Sequence, residues 1–258
     1  MVEEVERGRR ESDLFWMRFG VASLWLLTGI LVLHPFYREV GRAYLALMGI
    51  SDLVMYLLCA FEVGLGVWIL ARGVSLRLAW LQTVTVVGFT VVLVASDPKI
   101  WVHPFGVLSK NIPFLALVWS AWMLESGGDL SKMRWVLLGG IAFIWLHEGI
   151  VPKILFQQAY EREVVARTGL VPMDPSRFLY WLGGAQAFSG VLLLALRGNT
   201  LRIVLSAQLI ALLALPILVS LWEPDLWFHP FGPMTKNVPI VVATWILLQE
   251  EGRSRLAS

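Results

Sequence analysis

The sequence has few charged residues, one cysteine and four histidines, and these shortages exclude several classes of protein. Charged residues make up 16% of the 258 positions, against about 25% in a typical soluble protein. That leaves too little polar surface to cover a globule in water. The single cysteine, Cys59, excludes an internal disulfide and any metal or iron–sulfur site built from several cysteines. The net charge of +2 gives no indication of nucleic-acid binding.

Apolar residues are abundant instead, at 57% of the chain. They occur in runs of about 17–20 residues, the length with which a helix crosses a hydrocarbon core of roughly 30 Å. We therefore predict an all-α polytopic membrane protein with about eight transmembrane helices. The predicted spans are 14–33, 53–71, 78–96, 112–124, 135–151, 178–196, 203–222 and 238–249.

One string of eleven residues occurs twice. HPFGVLSKNIP at residues 103–113 returns as HPFGPMTKNVP at 229–239, and nine of the 17 positions in 97–113 and 223–239 are identical. Other matches between the two halves follow in the same order along the chain, which indicates an internal duplication. Because each half has an even number of spans, both halves enter the membrane from the same side. This predicts two tandem four-helix bundles related by a pseudo-two-fold axis along the membrane normal.

The repeats define the expected domains. Residues 1–13, which mix acids and bases, are predicted to be a cytoplasmic tail. The first repeat covers 14–126 and the second covers 132–251, with a linker rich in Gly, Ser and charge between them. The bias of Lys and Arg in the short loops favours both termini in the cytoplasm.

The last span of each half is unusually short. Residues 112–124 and 238–249 give only about 20 Å of helix, less than the core thickness, and Asn111 and Asn237 precede them as candidate N-caps. Corresponding short, Pro-interrupted segments indicate a site in repeat-built membrane proteins. A helix N-terminus favours an anion, to which Lys110 and Lys236 would add charge. Alternatively, these lysines extend to the headgroups, and the neighbouring Trp and His residues form an interfacial belt.

Two carboxylates lie inside predicted spans. Glu62 is near the middle of the second span, where a lone charge costs about 2.5–3.5 kcal/mol on insertion scales, and Glu148 lies at the end of the fifth, with His147 and Lys153. The position equivalent to Glu62 is Gln186, and Glu148 corresponds to a threonine. The duplication thus retains carboxylates at non-equivalent places, which suggests one composite site. Hydrogen bonding between helices is the alternative role for these residues.

The histidines raise the question of a metal or haem. His103 and His229 occupy equivalent positions and in principle could ligate a haem from opposite halves. However, each is followed by proline, which removes the usual helical presentation, and the chain has no His pair at i,i+4. We therefore do not expect haem or another metal. Nucleophilic catalysis has no support either, because no G-x-S-x-G motif occurs.

Three segments of the second half resemble the DoxX-like family of small four-helix membrane proteins: WLHEGIVPKIL, YWLGGAQAFSGVLLLALR and HPFGPMTKNVP. The first half resembles it through HPFGVLSKNIP and FEVGLG but departs where TGILVLHPF replaces EGIVPKILF. The resemblance implies a membrane subunit that accompanies oxidoreductases, since named members are associated with quinone-linked sulfur oxidation. It also implies a bacterial or archaeal cytoplasmic membrane. It points to the repeated His, Lys and Asn residues and the two carboxylates without assigning them roles.

We therefore expect an accessory membrane subunit that binds a quinone-like or lipid-like molecule between the two halves, with membrane lipids and other redox subunits as partners. A membrane oxidoreductase acting on quinone, with Glu62 or Glu148 relaying protons, is one alternative, and a small-solute or proton transporter is another. A self-contained enzyme is less favoured, because the sequence has no flavin fingerprint. The candidate ligand-binding residues are His103, Lys110, Asn111, His147, Lys153, Gln186, His229, Lys236 and Asn237.

Overall fold

The computed structural model describes residues 2–254, with side chains for residues 8 and 10–252, and its regular elements in that range are helices. This confirms the predicted all-α membrane fold. The α-helices are α1 (Val2–Ile30), α2 (Pro35–Leu47), α3 (Asp52–Arg72), α4 (Leu76–Ser96), α5 (Asn111–Glu125), α6 (Leu130–Ile150), α7 (Ala159–Thr168), α8 (Pro175–Ala195), α9 (Gly198–Ser220) and α10 (Asn237–Ser254).

Helix α1 already begins at Val2, so the described part of the segment predicted as a tail forms the first turns of that helix. Helices α2 and α7 were not predicted, because both lie in segments expected to be loops. Short 3₁₀ turns at Leu31–Leu33, Pro98–Val102 and Pro224–Phe228, and a π-helical turn at Val151–Leu155, complete the fold.

Within residues 2–254, six helices are long and apolar enough to cross a membrane: Arg10–Leu33, Asp52–Arg72, Leu76–Ser96, Leu130–Leu155, Pro175–Ala195 and Gly198–Ser220. The other two predicted spans form α5 and α10, and most of their residues are buried. The outer helices are exposed instead. On α9, for example, Ile210 and Ile217 are 67% and 63% exposed, as expected of a surface that faces lipid.

Equivalent helices make equivalent contacts in the two halves. Helix α1 packs on α3 as α6 packs on α8. The two short helices cross over: α5 packs on α6, the first helix of the second half, and α10 packs on α1. One hydrophobic core therefore runs through both halves, from Met17 in α1 to Leu247 in α10. Each repeat therefore packs its short last helix against the first helix of the other repeat.

Glycine permits the closest helix contacts at equivalent places. A Cβ atom on Gly29 would lie 2.6 Å from the carbonyl oxygen of Cys59, and one on Gly149 would lie 2.5 Å from the carbonyl oxygen of Gly183. Both distances are too short for any side chain. Lipid provides no hydrophobic drive for helices to associate, so close packing of small residues is a main source of their attraction.

The short helices α5 and α10 end level with the longer ones at the face that holds the termini. Glu125 at the end of α5 accepts from the Val74 amide at 2.8 Å and from Arg18 at 2.9 Å. Its counterpart, Glu251, accepts from the Gly198 amide at 2.9 Å and pairs with Arg134.

The opposite end of α5 lies below the face of the bundle. With 15 residues α5 is about 22 Å long, whereas α4, with 21 residues, is about 31 Å long. The segment 103–110 therefore folds inward before α5 begins, and most of it is buried. Non-helical backbone at such a depth is tolerated where protein covers it. We call residues 103–110 and the equivalent 229–236 the first and second brackets.

Candidate functional site: two cavities beside crossed brackets

The two brackets bind each other through their lysines. Lys110 donates from Nζ to the carbonyl oxygen of Pro233 at 2.5 Å, and Lys236 donates to the carbonyl oxygen of Val107 at 2.6 Å. Lys110 is equivalent to Lys236 and Val107 to Pro233, at an offset of 126 residues. The contact is therefore reciprocal, as a pseudo-two-fold axis requires, and it satisfies backbone carbonyls that have left helical hydrogen bonding.

We call this reciprocal contact of Lys110 and Lys236 the bracket crossing. A cavity lies on each side of it. The C-half cavity has a volume of about 240 Å³ and is walled by α6, α7, α8 and α9. The N-half cavity has a volume of about 330 Å³ and is walled by α1, α2, α3 and α4. Each cavity takes a bracket lysine from one repeat and the first residue of a short helix from the other: Lys110 and Asn237 line the C-half cavity, whereas Lys236 and Asn111 line the N-half cavity. Each cavity is thus built from both repeats.

A helix break forms the polar end of the C-half cavity. Pro152 has no amide proton, so it cannot donate to the carbonyl of Glu148 four residues earlier. The Lys153 amine takes that place and donates to the Glu148 carbonyl oxygen at 3.2 Å. The backbone here widens into the π-helical turn, a feature often found at functional sites. Lys153 is 5% exposed and lines the cavity.

The Glu148 side chain is held by neighbours from two elements. Its Oε1 atom accepts from the Ser109 hydroxyl at 2.6 Å and lies 3.3 Å from Nδ1 of His147. Ser109 comes from the first bracket, so this carboxylate also links the two halves. Lys153 is 3.2 Å from Oε1 of Glu161. Buried charges need such partners, because an isolated one costs several kcal/mol.

Helix α7 covers this polar end. Glu161, Val164, Val165 and Thr168, spaced as i, i+3, i+4 and i+7, all line the cavity. Burial raises the pKa of the Glu161 carboxyl, and the Lys153 amine opposes that rise. Sequence reasoning missed Glu161 because residues 152–177 lie between two predicted spans. The helical spacing of these four residues was the available signal.

Several buried polar atoms at this cavity have no hydrogen-bond partner among the described residues. They are the donor Nε1 of Trp145, and the acceptors Oε1 of Gln186 and Oε2 of Glu161. Buried polar groups are paired in the great majority of cases, so each exception requires an explanation. Here one donor and two acceptors line the same cavity.

The N-half cavity has a simpler polar lining. Glu62 is 8% exposed, and within the described part of the chain its Oε2 atom has no partner. Thr28 lies beside this carboxyl, and Lys236 lines the same space. Farther along the wall, the Tyr37 hydroxyl lies 3.3 Å from the sulfur of Cys59, which is buried.

The remaining sequence-predicted residues lie outside the cavity walls. His103 and His229 each accept from the backbone amide two residues later through Nδ1, at 3.4 and 3.3 Å. Burial lowers the pKa of both imidazoles to about 4. His147 contacts Glu148 and packs against Trp101. In residues 2–254, no group of three or more His, Cys, Asp or Glu side chains is placed to hold a metal ion.

The two carboxylates do not share one site. Glu148 lines the C-half cavity and Glu62 lines the N-half cavity, on opposite sides of the bracket crossing. The suggestion of a single composite site therefore gives way to two cavities. Each is composite in another sense, because its bracket lysine and the asparagine that begins a short helix come from different repeats.

The fold and the paired cavities define a polytopic helical membrane protein built by internal duplication. The sequence model of the DoxX-like family matches residues 22–119 and, separately, residues 142–245. The chain belongs to this family and carries two fused copies of it. No curated protein and no solved structure matches this chain.

Proposed function

We propose that the C-half cavity binds the headgroup of a quinone-like or lipid-like molecule, and that the protein serves a membrane redox assembly as an accessory subunit. The observation that carries the binding proposal is the set of unpartnered buried atoms: the donor of Trp145 and the acceptors of Gln186 and Glu161. A quinone carbonyl accepts a hydrogen bond, and the corresponding quinol hydroxyl donates one. A wall that offers both kinds of group suits either redox form.

The size and outlet of the cavity support the same class of ligand. A volume of about 240 Å³ is below the roughly 300–1,000 Å³ of pockets that enclose a drug-sized molecule. It suits one ring-sized headgroup. Leu170 and Leu218 line the cavity and are 61% and 36% exposed, so an apolar tail has an exit along an apolar surface.

The binding proposal is tested with a ubiquinone analogue that carries a ten-carbon alkyl tail. It should raise the Tm of protein held in quinone-free nanodiscs, because a ligand that binds only the folded state stabilises it. Trp145→Phe removes the unpartnered donor and should reduce this rise, whereas Trp25→Phe, at the equivalent position of the other half, should leave the rise in place. The proposal fails if the analogue has no effect and gently purified protein yields no extractable quinone or lipid.

The accessory role and the cellular placement rest on the family resemblance. We propose a bacterial or archaeal cytoplasmic membrane with both termini in the cytoplasm. Purification in a mild detergent, with co-purifying subunits identified, tests the role, and a redox partner that remains bound through gel filtration is the expected result. Cysteine labelling of Ser126→Cys from either side of the membrane tests the orientation, since Ser126 lies exposed at the face that holds the termini.

A row of charges favours one alternative, proton transport. Lys236 lies close enough to interact electrostatically with Glu62 on one side and Lys110 on the other. Lys110 in turn interacts with Glu148. The row joins the two cavities through the bracket crossing, as a path for protons would. Proton flux in proteoliposomes that disappears in Glu62→Gln would establish transport, and the absence of flux would remove this alternative.

A further inference from the structure

We propose that the N-half cavity is a second binding site, specific for a neutral amphipathic molecule that carries a hydroxyl group, such as a phenol or an alcohol. The site is distinct from the C-half cavity, because the bracket crossing separates the two and they share no lining residue. With a volume of about 330 Å³, it falls within the range of pockets that hold small organic ligands.

Glu62 decides the polarity of the ligand. Its Oε2 atom is buried in the cavity wall without a partner in the described residues. The Thr28 hydroxyl lies beside this carboxyl, but its proton is donated to the Leu24 carbonyl oxygen at 2.9 Å, and within the described residues Oε2 stays without a partner. A buried acceptor left without a donor is costly, so the missing partner is a donor that the ligand supplies.

The other polar groups narrow the choice to a neutral donor. Lys236 lines the same cavity and interacts electrostatically with Glu62, so a cationic ligand would meet a like charge. An anionic ligand would meet the Glu62 carboxylate. A hydroxyl avoids both costs and still donates one hydrogen bond. The Trp25 indole is not available, because it donates to Gln82 at 2.8 Å.

The apolar residues of the cavity wall determine what the rest of the ligand must be. Leu24, Met55 and Phe89 line the cavity, and Val92, 45% exposed, marks where it reaches the lipid-facing surface. A ring or short chain with one hydroxyl at its buried end therefore matches the lining. The second half has Gln186 at the position of Glu62, so the C-half cavity lacks the carboxylate that defines this site.

The proposal is tested with two probes that share an apolar body, 4-hexylphenol and its methyl ether, 4-hexylanisole. Only the phenol can donate a hydrogen bond, and both partition into lipid. The phenol should bind the protein in nanodiscs about tenfold or more tightly than the ether, as a hydrogen bond to a charged group implies, and this should appear as a larger rise in Tm. Glu62→Met should abolish the preference, and Glu62→Gln should reduce it.

The matched control is Gln186→Met, which removes the equivalent acceptor from the C-half cavity. It can remove only a preference that arises in that cavity, so the part of the preference that is lost in Glu62→Met should remain in this variant. Glu62→Gln carries the residue that the second half already has, so it keeps the test valid if Glu62→Met does not fold. Equal binding of the two probes, a preference for the ether, or a preference that survives in Glu62→Met would each overturn the proposal. The outcomes are distinguished from binding in the C-half cavity, which also offers acceptors to a hydroxyl, because the loss of preference must follow Glu62 and not Gln186.

Discussion

The two halves of the chain share a frame, by which we mean the equivalent helices and the contacts between them. They differ in the polar groups that line their cavities. Glu125 and Glu251 make the same contacts at the face that holds the termini, and Lys110 and Lys236 make the same contact at the crossing. The cavity groups are not matched in this way. Glu62 corresponds to Gln186, and Glu148 corresponds to a threonine.

The difference extends to a hydrogen bond that one half makes and the other lacks. In the first half, the Trp25 indole donates to Gln82 at 2.8 Å. The equivalent pair in the second half is Trp145 and Gln208, and within the described residues neither Nε1 of Trp145 nor Oε1 of Gln208 has a partner. Shared contacts therefore hold the fold, and unshared groups distinguish the two cavities. Three predictions test this division, from the largest effect to the smallest.

Gly149→Val should break the frame. Its side chain would meet backbone atoms of α8, the carbonyl oxygen of Gly183 at 2.5 Å and the Ala187 amide nitrogen at 2.6 Å, and backbone cannot move aside as a flexible side chain can. We expect a loss of about 3 kcal/mol or more in the free energy of unfolding, measured as a fall in Tm or in the yield of folded protein. Gly184→Val is the control, because a Cβ there meets no atom within 4 Å. Equal losses in the two variants would show that the close contact does not matter.

Removal of the bracket lysines should destabilise the protein less. Lys110→Met leaves the buried carbonyl of Pro233 without its donor, at a cost of about 1–3 kcal/mol. Lys236→Met should cost less, because Lys236 is only partly buried. Denaturant unfolding in detergent gives both values.

The double variant sharpens this test of the crossing. The two lysines repel each other, and each single variant already relieves this repulsion. The double variant gains that relief only once, so the combined loss should be larger than the sum of the single losses. Fully additive losses, or a negligible effect of Lys110→Met, would contradict the role given to the crossing.

The sequence predicted the frame well because a duplication is visible without a structure. The repeated string marked the brackets, and the short predicted spans 112–124 and 238–249 indicated a site beside them. Which helix each bracket contacts was not predictable, because Lys110 and Pro233 are 123 residues apart in the chain and meet only through the packing of α5 on α6. Without that contact, nothing in the sequence placed the two carboxylates in separate cavities, and one site between the halves was predicted.

The polar linings were predicted in part. Glu62, Glu148 and Lys153 were identified because charges inside apolar runs are rare and costly. Glu161 was missed, since it lies on a short, polar helix that reads as a loop outside the membrane. The unpartnered indole of Trp145 was missed for another reason. Its neighbours, not its own identity, decide whether a buried donor finds a partner.

The smallest expected effect belongs to the two equivalent tryptophans and comes closest to separating fold from function. Trp25→Phe breaks the bond to Gln82 and leaves a buried amide oxygen without its donor, so it should cost about 1–2 kcal/mol. Trp145→Phe removes a donor that has no partner among the described residues, so it loses only the packing of the larger ring and should cost less than Trp25→Phe, which loses similar packing and a hydrogen bond. The same variant should weaken the binding of the quinone analogue. A smaller stability loss at Trp145 than at Trp25, together with weaker binding of the analogue, would assign the Trp145 indole to the ligand, and equal stability losses at the two positions would refute that assignment.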